Sequence, residues 1–173
     1  NIILTSTNAA DAHGQVIPEV KNIGFMADSI RVPTSTESLI ILNVTFQTRS
    51  AKGGKNDPLT AEMINEIYRK ASENDPEHLV HFSAEQNVST DLIGMDAAIV
   101  IEGQFNHTRT AFIDIDLSDV PDLPEAFLAT LSRSTMRIPV VHAKIFGWYD
   151  NEYGSYTNRL GDLTAYVHKS LFP

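Results

Sequence analysis

The run from residue 39 to 47 constrains the fold more than any other segment. Ile40, Leu42, Val44 and Phe46 occupy alternate positions, while Asn43, Thr45 and Gln47 share the opposite face with Leu39 and Ile41. Period-two alternation in a β-branched run predicts a strand lying on a core. The second face is half apolar, so it also needs cover from water; another subunit is the cover expected, with buried loops as the alternative.

Further strand-like segments neighbour this one in sequence. Residues 22–33 precede it; residues 78–82 and 97–102 follow. Residues 108–116 are set to pair with 97–102 through a turn at 104–107, and 137–149 forms a long last strand. Helical spacing appears at residues 8–20, where Asn8 suits an N-cap, Asp11 suits a capping box and Pro18 limits the run. A second helix starts at Thr60, with Met63, Ile64, Ile67, Tyr68 and Ala71 as its apolar stripe. A short one is expected at 125–132, after a Pro- and Asp-rich loop at 118–125. The last carries Leu160, Leu163, Val167 and Leu171 at helical spacing. Strands that outnumber helices and follow one another predict an α+β architecture, a mostly antiparallel or mixed sheet with helices on one face.

Composition narrows the function. Thirteen Lys+Arg against 22 Asp+Glu give a formal charge of −9 over 173 residues, which excludes nucleic acid and anionic membranes as partners. No stretch approaches the roughly 20 apolar residues that cross a bilayer. The chain has no cysteine, so its own residues build no disulfide, cysteine-ligated metal site or thiol nucleophile. The Lys-Gly-Gly-Lys stretch within residues 49–57 reads as a loop; it lacks the upstream glycine and following Ser/Thr of a phosphate-binding P-loop. The triplets at Asn43, Asn87 and Asn106 match glycosylation acceptors only as chance does.

Three places carry possible chemistry. Ser6-Thr7-Asn8 runs into a helix, where free backbone N–H groups favour an anion and the Thr7 hydroxyl adds a donor. A plain helix cap is the alternative. Arg31, in Ser-Ile-Arg-Val-Pro-Thr, suits phosphate or carboxylate, or else a surface ion pair. The corner Trp148-Tyr149-Asp150-Asn151-Glu152-Tyr153-Gly154 offers Asn151, whose amide can pair with another amide or simply cap a helix. His78 and His81 are expected on opposite strand faces, His142 in a structural position and His13 in a solvated pair with Asp11, so no metal site is expected. Asp114, Asp116, Ser118, Asp122 and Glu125 follow calcium-loop spacing. Asp119 stands where such a loop needs glycine, and a strand precedes it, so calcium is rejected.

The segments Asn1-Ile2-Ile3-Leu4-Thr5-Ser6-Thr7-Asn8-Ala9-Ala10, Arg31-Val32-Pro33-Thr34 and Trp148-Tyr149-Asp150-Asn151-Glu152 resemble, in this order, signature segments of the glyceraldehyde-3-phosphate dehydrogenase family. Ile17-Pro18-Glu19-Val20 and Val88-Ser89-Thr90-Asp91 are similar to further family segments. The resemblance implies that residues 1–173 are part of the C-terminal catalytic domain with its closing helix. By the same resemblance, the N-terminal NAD-binding domain, the catalytic cysteine and the histidine base precede Asn1, and no catalytic residue lies in this chain. The implied reaction oxidises glyceraldehyde 3-phosphate through a cysteine thioester, with NAD or NADP and inorganic phosphate, in glycolysis or gluconeogenesis. Thr7 and Asn8 match the site of the attacking phosphate, Arg31 the arginine on the substrate's own phosphate, and Asn151 the asparagine on the nicotinamide carboxamide. The family further implies a cytoplasmic homotetramer associating through its sheets. The isolated chain is expected to bind no cofactor and to be inactive. A non-catalytic oligomerisation or binding module derived from the same family is the alternative.

Three departures from the family pattern stand out. Asn8 replaces its usual glycine, an additional residue separates Gly154 from Tyr156-Thr157-Asn158-Arg159, and residues 104–138 are longer than its common form. The last implies a divergent branch with an extra surface element.

Overall fold

A computed structural model describes residues 1–48 and 58–172; the loop expected at 49–57 lies outside the described residues. The chain divides into two compact units, Asn1–Ser35 and Thr36–Pro173.

In the first unit, β1 (Ile3–Thr5) pairs antiparallel with β2 (Ser29–Arg31), in rows from Ile3↔Arg31 to Thr5↔Ser29. The strand expected at 22–33 is therefore mostly not strand, because β1 offers partners for three residues only. Between the two strands lie α1 (Ala9–Val16) and a 3-10 turn, Pro18–Asn22. The helix expected to run to Val20 stops four residues earlier, at Val16, and the chain re-enters the 3-10 turn with Pro18 in its first turn. The expected Asn8 cap is also corrected. Asn8 sits at φ −96°, ψ 12°, outside the extended region from which a cap side chain reaches back, and its side chain caps nothing. Thr7 Oγ1 instead accepts the Ala9 N–H at 3.1 Å.

The second unit carries the sheet. β3 (Ser38–Gln47) is followed by α2 (Ala61–Glu73), β4 (Val80–Ser83), β5 (Ile99–Glu102), β6 (His107–Asp116), α3 (Glu125–Leu128), β7 (Thr135–Tyr149) and α4 (Ser155–Leu171). Among the described residues the sheet has five strands in the order β3-β7-β5-β4, with β6 also on β7. β4 and β5 are parallel; every other pairing in this sheet is antiparallel. The architecture is the α+β form with a mixed sheet that the strand pattern predicts.

β7 organises it. One edge of β7 pairs with all of β3, from Ser38↔Tyr149 to Gln47↔Val140. Its other edge takes β6 from Thr135 to Lys144 and then β5 at Gly147 and Trp148. The hairpin expected between 97–102 and 108–116 does not form. Both segments lie end to end on β7, and the turn between them is a bulge in one interrupted strand. A side chain repairs the ladder there. Asn106 Oδ1 accepts the Phe146 N–H at 2.9 Å, and Asn106 Nδ2 donates to Asn65 Oδ1 at 2.9 Å. Asn65 Nδ2 in turn donates to the Gly103 carbonyl at 2.8 Å, which ties α2 to the bulge.

One core cluster lies between α2 and one sheet face, around Ile64, Ile101, Ala143 and Ile145, and a second gathers Leu92, Ala97 and Val100 with Trp148. Thr60 caps α2, its Oγ1 accepting the Met63 N–H at 3.2 Å. The expected apolar stripe of α2 is only partly buried. Ile64 is buried and Tyr68 half-buried, whereas Met63, Ile67 and Ala71 face solvent. Asn65 and Ser72 take inward places instead, Ser72 Oγ accepting the Phe82 N–H at 3.3 Å. The opposite sheet face is open around Leu39 and Ile41, which are 44% and 49% exposed. α3 is shorter than the helix expected at 125–132. No helix is long and apolar enough to cross a membrane among the described residues.

Candidate functional site

The best-defined polar construction in the molecule is the corner where β7 passes into α4. Asp150 sits there at 2% exposure. Its Oδ2 accepts the Gly94 N–H at 2.7 Å, and its Oδ1 accepts those of Glu152 at 2.8 Å and Tyr153 at 2.9 Å. An aspartate gathering the N–H groups two and three residues on makes an Asx-type turn. The Ser155 hydroxyl donates to the Asp150 carbonyl at 2.7 Å, which fastens the first residue of α4. Burial pushes the Asp150 carboxyl up, but the N–H groups of Gly94, Glu152, Tyr153 and Gly154 outweigh it and hold the group below the usual carboxylate range. Gly154 is required by space: a Cβ there would lie 2.1 Å from the Met95 carbonyl oxygen.

A second buried acid braces the strand that feeds the corner. Glu102, 2% exposed, accepts the Trp148 Nε1–H at 3.1 Å and an Asn87 Nδ2–H at 2.9 Å, both on Oε2. A half-buried acid, Glu37, lies just before β3, whose first row is Ser38↔Tyr149. Its two carboxyl oxygens are shielded from solvent and have no hydrogen-bond partner among the described residues. Burial, and then the charge of Asp150, raise its pKa from the ordinary 4.5 to about 7. Its φ of 76° places a non-glycine residue in the left-handed region.

Asn151 stands on this foundation. It is exposed, and its side chain makes no hydrogen bond among the described residues. The backbone beneath it is tied on both sides while its amide, with donors and an acceptor, is presented outward. Tyr153 and Tyr156 are also exposed.

The other expected site residues lie in the first unit. Thr7 Oγ1 accepts from Ala9, which leaves the hydroxyl proton to donate elsewhere, beside the free N–H groups that open α1. Asn8 contributes its carbonyl, which accepts the Ala12 N–H at 3.0 Å, and its side chain stays uncommitted. Arg31 ends β2 opposite Ile3, exposed and without an ion pair among the described residues. Arg31 pairs with Ile3 in the first row of this ribbon, and Thr7 lies beyond its last row, Thr5↔Ser29.

The histidines and the calcium-like run have other uses. His13 packs edge-on against Phe25, with ring centres 5.0 Å apart, rather than pairing with Asp11. His78 precedes β4 at φ 52°, so it is not on the strand expected to carry both it and His81. Asp114 is gripped by Arg137 at 2.7 and 2.9 Å, and Asp116 accepts from the Ser118 backbone and hydroxyl. No group of three or more metal-ligating side chains could hold an ion among the described residues.

Sequence reasoning quoted Asp150 but missed it as the hub, although an aspartate before two further corner residues is the ordinary Asx signal. Glu102 has a weaker signal, a single acid closing the apolar run Ala97-Ala98-Ile99-Val100-Ile101. Glu37 has none.

Residues 1–117 match the family described as glyceraldehyde 3-phosphate dehydrogenase, C-terminal domain. The chain is 34% identical to glyceraldehyde-3-phosphate dehydrogenase 2 of Mucor circinelloides f. lusitanicus over 169 residues, 98% of this chain and 38% of that protein. It is 32% identical to glyceraldehyde-3-phosphate dehydrogenase 1 of Bacillus subtilis (strain 168), again over 98% of this chain and 38% of the relative. With glyceraldehyde-3-phosphate dehydrogenase of Borreliella burgdorferi it shares 32% identity, over 98% of this chain and 39% of the relative. The chain thus spans less than two fifths of the length of the relatives it matches.

Proposed function

The chain belongs to the glyceraldehyde 3-phosphate dehydrogenase family, and from that premise we propose that it supplies the phosphate and nicotinamide contacts of an enzyme that oxidises glyceraldehyde 3-phosphate with NAD or NADP and inorganic phosphate. The observation that carries the reading is the corner at Asp150. There the Asp150 carboxylate accepts the backbone N–H groups of Gly94, Glu152 and Tyr153 around Asn151, whose own amide is left free for a ligand.

Each residue then has one task. The Arg31 guanidinium grips the phosphate of the substrate and sets the distance of its aldehyde carbon from the nucleophile. Thr7 donates its hydroxyl proton to the attacking phosphate, and the first N–H groups of α1 neutralise part of its charge. The Asn8 side chain flanks that anion where the family carries glycine. Asn151 pairs its amide with the carboxamide of the nicotinamide and so fixes which face of the ring meets the substrate. The bound nicotinamide cofactor supplies the hydride acceptor. The thiol nucleophile comes from outside these residues, since none of them is cysteine. The chain alone is accordingly inactive, and the complete enzyme works in the cytoplasm as a homotetramer. The open sheet face with Leu39 and Ile41 serves its self-association.

The test uses the cysteine-bearing enzyme that contains these residues. Arg31→Ala should lower kcat/KM for the phosphorylated aldehyde about 10- to 100-fold, while use of an unphosphorylated aldehyde stays unchanged, because a charge-assisted hydrogen bond contributes about 1.5–3 kcal/mol. An unaltered preference between the two aldehydes refutes the assignment. The 173-residue chain itself should reduce no NAD with aldehyde and phosphate.

A further inference from the structure

The sheet face turned away from α2 carries a block of polar side chains in two rows across three strands. One row is Asn43, Lys144 and His107; the next is Thr45, His142 and Arg109. The rows are two residues apart on each strand, so all six side chains rise from one face. Lys144 is half-buried and the other five are exposed. Neighbours within a row stand about 5 Å apart at Cβ, and Arg109 and Lys144, on a diagonal, about 7–8 Å, which long side chains span. Ile41 with Phe146 flanks the block on one side, and Val140 with Ala111 on the other.

Both imidazoles are held at one nitrogen. His107 Nδ1 donates to the Phe105 carbonyl at 2.9 Å, and its ring packs near Phe146 with centres 6.1 Å apart. His142 Nδ1 and the Thr45 hydroxyl are bonded at 2.9 Å. Each ring keeps Nε2 without a partner among the described residues. With Nδ1 donating, the His107 Nε2 can donate only when the ring is an imidazolium. The chain has 22 acids against 13 Lys+Arg, yet no acid of β3, β6 or β7 lies on this face. The acid that β5 brings to the same side, Glu102, is buried and accepts from Trp148 and Asn87. Neither Arg109 nor Lys144 has an ion pair among the described residues. Cover over this face would shut both cations from water, which is costly for a charge left without a counterion.

We propose that this block is a binding site for a dianionic tetrahedral oxyanion, phosphate in particular. Arg109 and Lys144 supply the charge and charge-assisted hydrogen bonds from two sides. His107 and His142 close on the anion through Nε2, and the Asn43 amide is the remaining donor beside Lys144. The bound anion provides the counter-charge that the face lacks. The site is built from the second compact unit alone and does not rest on the reading of Thr7 and Arg31.

Imidazole nitrogen NMR of the full chain tests it. Sodium sulfate, added against chloride at constant ionic strength, should shift the Nε2 signals of His107 and His142 saturably, with a Kd of about 5 mM or below, and leave His78 and His81 in place. Inorganic phosphate should give the same shifts. Arg109→Ala with Lys144→Ala should raise the Kd about 10-fold or more, because two charge-assisted contacts go. Unmoved His78 and His81 signals in that variant show that its fold is kept; if it does not fold, Arg109→Gln alone should raise the Kd about 5-fold. Sulfate keeps its charge between about pH 8 and 6, where imidazoles gain protons, so its binding should tighten at least about 5-fold over that range, and His107→Gln should remove most of the gain. Shifts that stay linear to about 50 mM, or a Kd indifferent to the Arg109 and Lys144 changes, overturn the site. Thr7→Ala with Arg31→Ala should leave the shifts untouched. If that variant abolishes them, the anion belongs to the first unit, and this site falls while the proposed phosphate contacts stand.

Discussion

The helices α2 and α4 both carry apolar residues at helical spacing, more sharply segregated in α2, and meet different fates. In α2, Thr60 caps the first turn, Ile64 is 5% exposed against the sheet and Asn65 bonds into the β5–β6 bulge. In α4 only Ser155 is buried, and Leu160, Leu163, Val167 and Leu171 all face solvent. What anchors α4 is its first residue and Arg159, which donates to the Glu77 carbonyl at 2.9 Å. Spacing of apolar residues therefore records that a helix face is made to be covered, and says nothing about whether the cover belongs to the same compact unit. Polar anchoring at a helix end is a separate device, independent of stripe burial.

Replacing Asp150 attacks the polar anchor and should have the largest effect. Asp150→Ala removes the acceptor of the partly buried N–H groups of Gly94, Glu152 and Tyr153, at a cost of about 2–4 kcal/mol in urea unfolding of the chain. A loss below about 1 kcal/mol refutes the hub. Next comes a matched pair. Ile64→Ala should cost about 2–4 kcal/mol, while Leu163→Ala in α4 stays within about 0.5 kcal/mol. Equal costs would break the contrast between the helices.

The smallest effect concerns Glu37 and is read against pH. Its folded pKa of about 7 lies above the ordinary 4.5, so between these values the folded chain holds a proton that the unfolded chain has released. Stability from this group is complete below pH 4.5 and is lost as pH rises through 7. Glu37→Gln removes that loss. Discounted for partial exposure, it should stabilise the chain by about 1 kcal/mol above pH 7 and leave it unchanged near pH 4.5. A gain of equal size at both pH values refutes the assignment.

The long alternating segments were legible because a half-buried strand imposes its period on the sequence: the segment around residues 39–47 and the last strand lie within a few residues of their predicted bounds. The pairing of residues 108–116 was not. A short turn between two strands reads as a hairpin, whereas here Asn106 substitutes a side-chain oxygen for the interrupted ladder and keeps both strands on β7. Helix ends were legible where a hydroxyl sits directly at the cap, as at Thr60, and misread at Asn8, where Thr7 takes the bond. At the corner, the segment holding Asn151 was recognisable by its aromatic and amide residues. The buried Glu102 that braces the strand behind it, and the half-buried Glu37 beside it, became visible only when distant strands were brought together.

The placement of β7 also sets an order of events as the chain is made. Its pairing with β6 closes only the connection 117–134 and comes early, since closing a nearer loop costs less. Its pairing with β3 joins rows as far apart as Ser38↔Tyr149, and β5 reaches it only at Gly147 and Trp148. During synthesis β3 therefore leaves the ribosome well before β7, its partner among the described residues. The apolar run of residues 39–46 waits for that partner until about a hundred further residues have followed at roughly 5–20 per second. That interval of several seconds is when the chain is most exposed to pairing with the wrong neighbour, and when a chaperone has most to protect.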